Sequence, residues 1–148
     1  MLDICLLGTG GTVPLPNRWL TSLLVRWNGN TLLVDCGEGT QIAIHQYGYS
    51  CKTIDTILLT HFHTDHTAGL PGLLLTMAKS ERTEPVTIYG PKGLIEVFEG
   101  IYKVARYIPF EIKLVEIDGP QADFEVNGLR IKALHAKHSV PCYAYIFE

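Results

Sequence analysis

"LLTHFHTDHTAGLPGLLLTM", residues 58–77, decides how this chain is read. An apolar run ends at Leu59, and "HFHTDH" then brings His61, His63, Asp65 and His66 together immediately after it. Three of the chain's six histidines stand in this one stretch. A chance match to H-x-H-x-D-H is expected on the order of once in three thousand chains of this composition. His61 and His63 alternate, so an extended backbone can point both imidazoles at one ion. Asp65 and His66, one step further along, can face a second ion nearby. Imidazole nitrogen and carboxylate oxygen are donors that Zn²⁺ favours, with Mn²⁺ or Fe as alternatives. A cluster at the carboxyl end of a strand is also where open α/β sheets place their sites.

The surrounding sequence alternates strands and helices. "DICLLG" (3–8) reads as a buried strand and "GTGGTVPLPNR" (8–18) as a glycine- and proline-rich loop. "LTSLLVRW" (20–27) and "NTLLVDC" (30–36) flank an Asn-Gly turn, the strongest short hairpin signal. "GEGTQIAIHQYG" (37–48) predicts a short helix that Gly48 ends. "TIDTILLT" (53–60) is the strand that delivers the histidines. "AGLPGLLLTMAK" (68–79) is helical provided Pro71 lies in the first turn. "EPVTIYG" (84–90) is a strand, and "PKGLIEVFEGIYKVA" (91–105) has the 3.6-residue apolar period of a helix. Strands dominate from there: 110–117, 122–126, 129–136 and 141–148, with Asn127-Gly128 as a second tight turn. The expectation is one mixed α/β domain over residues 1–148, with helices on one face of a mixed sheet.

Composition narrows the function classes. At 148 residues, 47% hydrophobic and 18% charged, the chain can build one globular core. Its net charge of −3 provides no general attraction for nucleic acid, so an RNA substrate needs a local basic patch or another part of the molecule. No apolar run approaches the ~20 residues of a membrane-spanning helix, and the first residues lack the charge of a signal peptide. Cys5, Cys36, Cys51 and Cys142 are scattered without a C-x-x-C pair. They are expected as free thiols, with the protein in the cytoplasm.

Four segments carry a family resemblance: "LLGTGGTVPLPNR" (6–18), "LLVDCGEGTQ" (32–41), "LTHFHTDHTAGLPGLL" (59–74) and "HSVPCYAY" (138–145). H-x-H-x-D-H after a strand resembles the metallo-β-lactamase superfamily. "DCGEGTQ" with "GLPGLL" is most similar to its ribonuclease Z family, the tRNA 3′-processing endonucleases. The resemblance implies the αββα sandwich of that superfamily, with this chain as the first half of the fold. It implies two divalent metal ions, zinc foremost. His61, His63 and His138 would serve one ion, Asp65 and His66 the other.

His138 stands before "PCYAY", which is similar to the family's H-x-x-x-C-Y-G-Y with Ala144 in place of glycine. Spacing alone leaves His135 as an alternative. Asp65 is implied as the catalytic group that orients or deprotonates the attacking water. Asp35 and Glu38 in "DCGEGT" are candidates to support the ligands, although Asp35 can equally cap a turn. His45 reads as an ordinary helix-surface histidine, and Trp19 departs from the family's usual Arg-Asn.

The substrate so implied is precursor tRNA, cut to leave a 3′-hydroxyl, by an enzyme that forms a homodimer and stays off the membrane. The family's bridging aspartate, last histidine ligand and leaving-group acid are not in this sequence. The 148-residue chain is therefore expected to be inactive or impaired alone. Two alternatives remain: a small-molecule or nucleotide hydrolase of the same superfamily, and a non-catalytic metal-binding half-domain. "PCYAYIFE" has apolar residues on both faces, which predicts a bare surface and self-association.

Overall fold

The computed structural model describes residues 2–148. Its first sheet contains six strands in the order β1 to β6: Leu2–Gly8, Ser22–Trp27, Asn30–Val34, Ile54–Leu58, Val86–Pro91 and Ile112–Ile117. β1, β2 and β3 pair antiparallel, whereas β3–β4, β4–β5 and β5–β6 pair parallel. Parallel neighbours need a crossover, and the helices supply it. These are α1 (Thr40–Gln46), α2 (Thr64–Thr67), α3 (Leu70–Lys79) and α4 (Leu94–Val104), with a single 3₁₀ turn at Cys51–Thr53.

The predicted turn chemistry is visible in the backbone. Asn28 and Gly29 take φ of 46° and 86°, and Asn127 and Gly128 take 49° and 83°. Positive φ at both central residues is the hairpin turn whose twist matches the strands. Gly48 lies beyond α1 at φ 77°, where a side chain would be strained. Pro71 falls in the first turn of α3, where its missing N–H costs nothing. The predicted 68–79 helix is divided: α2 begins inside the histidine cluster, and Gly69 separates it from α3.

The larger core lies between the helices and the first sheet. There Leu33, Ile57 and Ile88 meet Ile44 of α1, Leu73, Leu74 and Met77 of α3, and Phe98 of α4. The opposite face carries a second sheet, as the αββα sandwich implied by the resemblance requires. The last strands do not extend the mixed sheet; β7 (Gln121–Val126), β8 (Leu129–His135) and β9 (Tyr143–Phe147) form a separate antiparallel sheet. It packs Val126, Leu129 and Ile131 against Val25, Trp27, Leu32 and Leu58. Tyr89 stacks on Phe124 at a centroid distance of 4.5 Å, and Trp27 Nε1 donates to the Asn127 carbonyl at 3.2 Å. The layers are therefore helix, sheet, sheet.

On β9 the two faces divide as the alternation requires. Tyr143, Tyr145 and Phe147 turn into the core between the sheets, while Ala144 and Ile146 are exposed. The second sheet does not reach β1. Leu2, Ile4 and Leu6 sit opposite Trp27, Val25 and Leu23 on the face between the sheets, yet they are 53%, 57% and 63% exposed. Among the described residues, no helix is long and apolar enough to cross a membrane.

Candidate metal centre

The site forms where β3 and β4 end. β3 stops at Val34, and Asp35 turns the chain sharply at φ 57°, a left-handed conformation that Asp tolerates better than most residues. Its N–H still bonds the Leu58 carbonyl of the neighbouring strand at 2.8 Å. The next residues are bound to the histidine loop. Cys36 N–H donates to the His66 carbonyl at 2.8 Å, and Gly69 N–H donates to the Cys36 carbonyl at 2.9 Å.

This close approach explains two glycines. A Cβ on Gly37 would stand 2.5 Å from the Asp65 carbonyl oxygen, and one on Gly69 would stand 2.1 Å from the Gly37 carbonyl oxygen. Neither contact is sterically possible without moving backbone.

His61 and His63 follow β4, and His138 arrives on the loop between β8 and β9. That loop is docked by the Tyr143 N–H, which bonds the Thr60 carbonyl at 2.9 Å. His61 Nε2 lies 3.1 Å from His63 Nδ1, and His138 Nε2 lies 3.2 Å from the same His63 nitrogen. All three donor atoms fall within 4.8 Å of one another. Two imidazole nitrogens bound tetrahedrally at zinc distances stand roughly 3.3 Å apart. The spacing and the donor chemistry both fit a zinc-type ion held by three histidines, with further positions left for water or substrate.

Beside this triad, Asp65 Oδ2 and His66 Nε2 are 3.7 Å apart. They supply two donors to a neighbouring position. Thr12, on the loop after β1, donates its N–H to Asp65 Oδ2 at 2.8 Å. This bond, ahead of an opposing burial effect, holds the Asp65 carboxyl below its ordinary value and keeps it ionised. Burial, reinforced by the charge of His66, pushes the His61 pKa down, which favours the neutral, metal-binding form. Burial also acts to lower His66, but its hydrogen bond to Asp35 and the charges of Asp35 and Asp65 together raise it.

Asp35 is 2% exposed. Its carboxylate accepts from Thr60 N–H and Oγ1–H at 2.8 Å each and from His66 Nδ1 at 2.7 Å. Glu38 is exposed, and among the described residues no hydrogen bond ties its carboxylate to the cluster. Its side chain leaves the turn that buries Asp35. His135, the alternative to His138, ends β8 on the surface with its ring edge-on to Tyr143, and it stays outside the triad. His45 is on α1, with its Nε2 3.9 Å from Cys51 Sγ. Sequence reasoning passed over Thr12, Thr60 and Cys142, whose Sγ stands 3.8 Å from His61 Nδ1. Only the adjacency of Thr60 to His61 hinted at a role.

The family model described as "Anti-Pycsar protein Apyc1" matches residues 2–148. Two curated relatives named ribonuclease Z, from Agathobacter rectalis and Lachnoclostridium phytofermentans, are 55% and 53% identical across the whole chain. The chain spans 49% of each of them. Human tRNase Z, short form, superposes with a TM-score of 0.87 at 27% identity, covering 100% of this chain and 65% of that one. The metallo-β-lactamase fold protein YhfI from Bacillus subtilis matches at a TM-score of 0.82 and 24% identity, over 99% of this chain and 57% of its own. The chain thus belongs to the family described as Anti-Pycsar protein Apyc1, has the metallo-β-lactamase fold, and is homologous along its length to the ribonuclease Z proteins.

Proposed function

We propose that this chain is the metal-binding portion of a metal-dependent endoribonuclease that cuts precursor tRNA on its 3′ side and leaves a 3′-hydroxyl. The observation that carries this reading is the convergence of His61, His63 and His138 beside Asp65 and His66. Relatives named ribonuclease Z, more than half identical along the chain, supply the substrate class. His61, His63 and His138 hold one divalent ion, zinc by donor type, and Asp65 and His66 contribute to a second. When bound, such ions lower the pKa of water to about 7 and neutralise charge on a phosphoryl group. Asp65, ionised and oriented by Thr12, accepts the proton of the attacking water. His66, pinned by Asp35, holds its Nε2 toward the same position.

Asp65 and His66 are the donors gathered at the second position among the described residues. Two donors hold a divalent ion weakly. The purified chain should therefore bind one ion tightly and cleave precursor tRNA poorly by itself. Elemental analysis should find about one zinc per chain, and His63→Ala should lose most of it. Unchanged metal content in that variant would overturn the ligand assignment. Robust tRNA cleavage by the isolated chain would overturn the impairment. We place the protein in the cytoplasm, consistent with four free cysteines, and expect it to act as a homodimer.

A second reading, hydrolysis of a small phosphodiester, is favoured by the net charge of −3 and the exposed position of His138. Turnover of a small phosphodiester ester by the zinc-loaded chain, with precursor tRNA untouched, would decide for it.

A further inference from the structure

We propose that Thr60 is a positioning residue that passes the orienting influence of Asp35 to His61, so that one buried carboxylate presents an imidazole to each metal position. The inference rests on the metal-site reading and deepens it. Thr60 Oγ1 lies 2.8 Å from Asp35 Oδ2, 3.1 Å from Asp35 Oδ1 and 2.9 Å from His61 Nδ1.

Counting hydrogens fixes the direction of each bond. A threonine hydroxyl has one hydrogen and two lone pairs, and an ionised carboxylate can only accept. The Thr60 hydrogen therefore goes to Asp35, and a Thr60 lone pair faces His61. His61 must then carry its proton on Nδ1, which leaves the Nε2 lone pair aimed at His63 Nδ1 and His138 Nε2. His66 follows the same rule without an intermediary, because its Nδ1 donates to Asp35 Oδ2 at 2.7 Å. The other group near His61 Nδ1, the Cys142 thiol, stands at 3.8 Å and is the weaker partner.

Thr60 suits this relay because its main chain is fixed on both sides. Its N–H donates to Asp35 Oδ1 at 2.8 Å, and its carbonyl accepts from Tyr143 N–H at 2.9 Å. The hydroxyl is thus held between two buried groups, Asp35 at 2% and His61 at 6% exposure. Valine would fill the same volume with no hydrogen bond, whereas serine keeps the hydroxyl.

The test uses ¹⁵N-labelled native chain, Thr60→Val and Thr60→Ser. Histidine tautomers are read by NMR without metal, and zinc affinity is read by competition with a chromophoric chelator. In native chain and Thr60→Ser, His61 should carry its proton on Nδ1. In Thr60→Val, His61 should become a mixture of tautomers while His66 keeps its Nδ1 proton. Zinc affinity should fall about 10- to 100-fold in Thr60→Val and be restored in Thr60→Ser. A His61 proton on Nε2 in the native chain would overturn the proposal, even if the valine variant did not fold. So would a folded Thr60→Val with native tautomers and zinc affinity within twofold of native. If the native chain bound no zinc yet showed the expected tautomers, the metal reading would fail and the role of Thr60 in orienting His61 would stand.

Discussion

His66 Nδ1 and Asp35 Oδ2 lie 2.7 Å apart, joining the turn after β3 to the loop after β4. Asp35→Asn tests this link with little disturbance to the backbone, because Asn also accepts the left-handed conformation. Its Nδ2 cannot accept a hydrogen bond, so either Thr60 or His66 loses its partner. Zinc affinity should fall about 10- to 100-fold, and the His66 pKa should drop from its raised value toward the ordinary one. Chelator competition and an NMR titration of His66 read the two effects.

Gly69 has an ordinary helical φ of −78°, so its requirement is purely one of space. Gly69→Ala would press a methyl group against the Gly37 carbonyl oxygen, and rigid backbone on both sides cannot yield cheaply. A loss of about 1–3 kcal/mol is expected, read as a lower urea midpoint with an unchanged slope. Retention of the native midpoint would show that the α2–α3 junction can slide.

Burial pushes the Asp55 carboxyl above its ordinary value, against opposing contributions from Thr56, Arg82 and its own backbone. Asp55 Oδ1 has no hydrogen-bond partner among the described residues. A carboxyl whose folded pKa exceeds its unfolded pKa stabilises the fold fully below the unfolded value. That contribution is lost as the pH rises through the folded value. Asp55→Asn should therefore be more stable than the native chain at pH 7, by on the order of 1 kcal/mol, and lose that advantage near pH 4. Urea midpoints at the two pH values check the sign.

Leu2, Ile4 and Leu6 form an apolar strip on an edge strand. Such a strip favours association through the face or through the unpaired strand edge. Sedimentation should show concentration-dependent self-association of the native chain, and Ile4→Lys with Leu6→Lys should abolish it. A monomeric native chain at high concentration would contradict this.

The sequence disclosed what is local. The histidine spacing, both Asn-Gly turns, the position of Pro71 and the apolar period of α4 each act within a few residues. The division into two sheets came only through the family resemblance, because alternation on β7, β8 and β9 reveals which side is buried but not against which sheet. For Asp35 the sequence allows support of a ligand and capping of a turn equally. Its contacts depend on a left-handed turn that no periodicity announces. Glu38 carried the same apparent promise and points into solvent instead. Thr60 offered only its adjacency to His61, and a hydroxyl beside a histidine is informative only once Asp35 is brought against it.

His63 and His138 stand 75 positions apart in sequence, yet their nitrogens are separated by 3.2 Å. The intervening chain contains α2, α3, β5, α4, β6, β7 and β8, about half of the molecule. An ion gripping both histidines closes a loop of that length. By analogy with a covalent cross-link, closure removes on the order of 4 kcal/mol of freedom from the unfolded chain, if the grip persists there. If the grip is lost on unfolding, the ion stabilises instead through its affinity for the native state alone. In both regimes the proposed metal would act as a fastener between the two sheets. Chelation should raise amide exchange along β8 and β9, far beyond the histidines that lose their ligand.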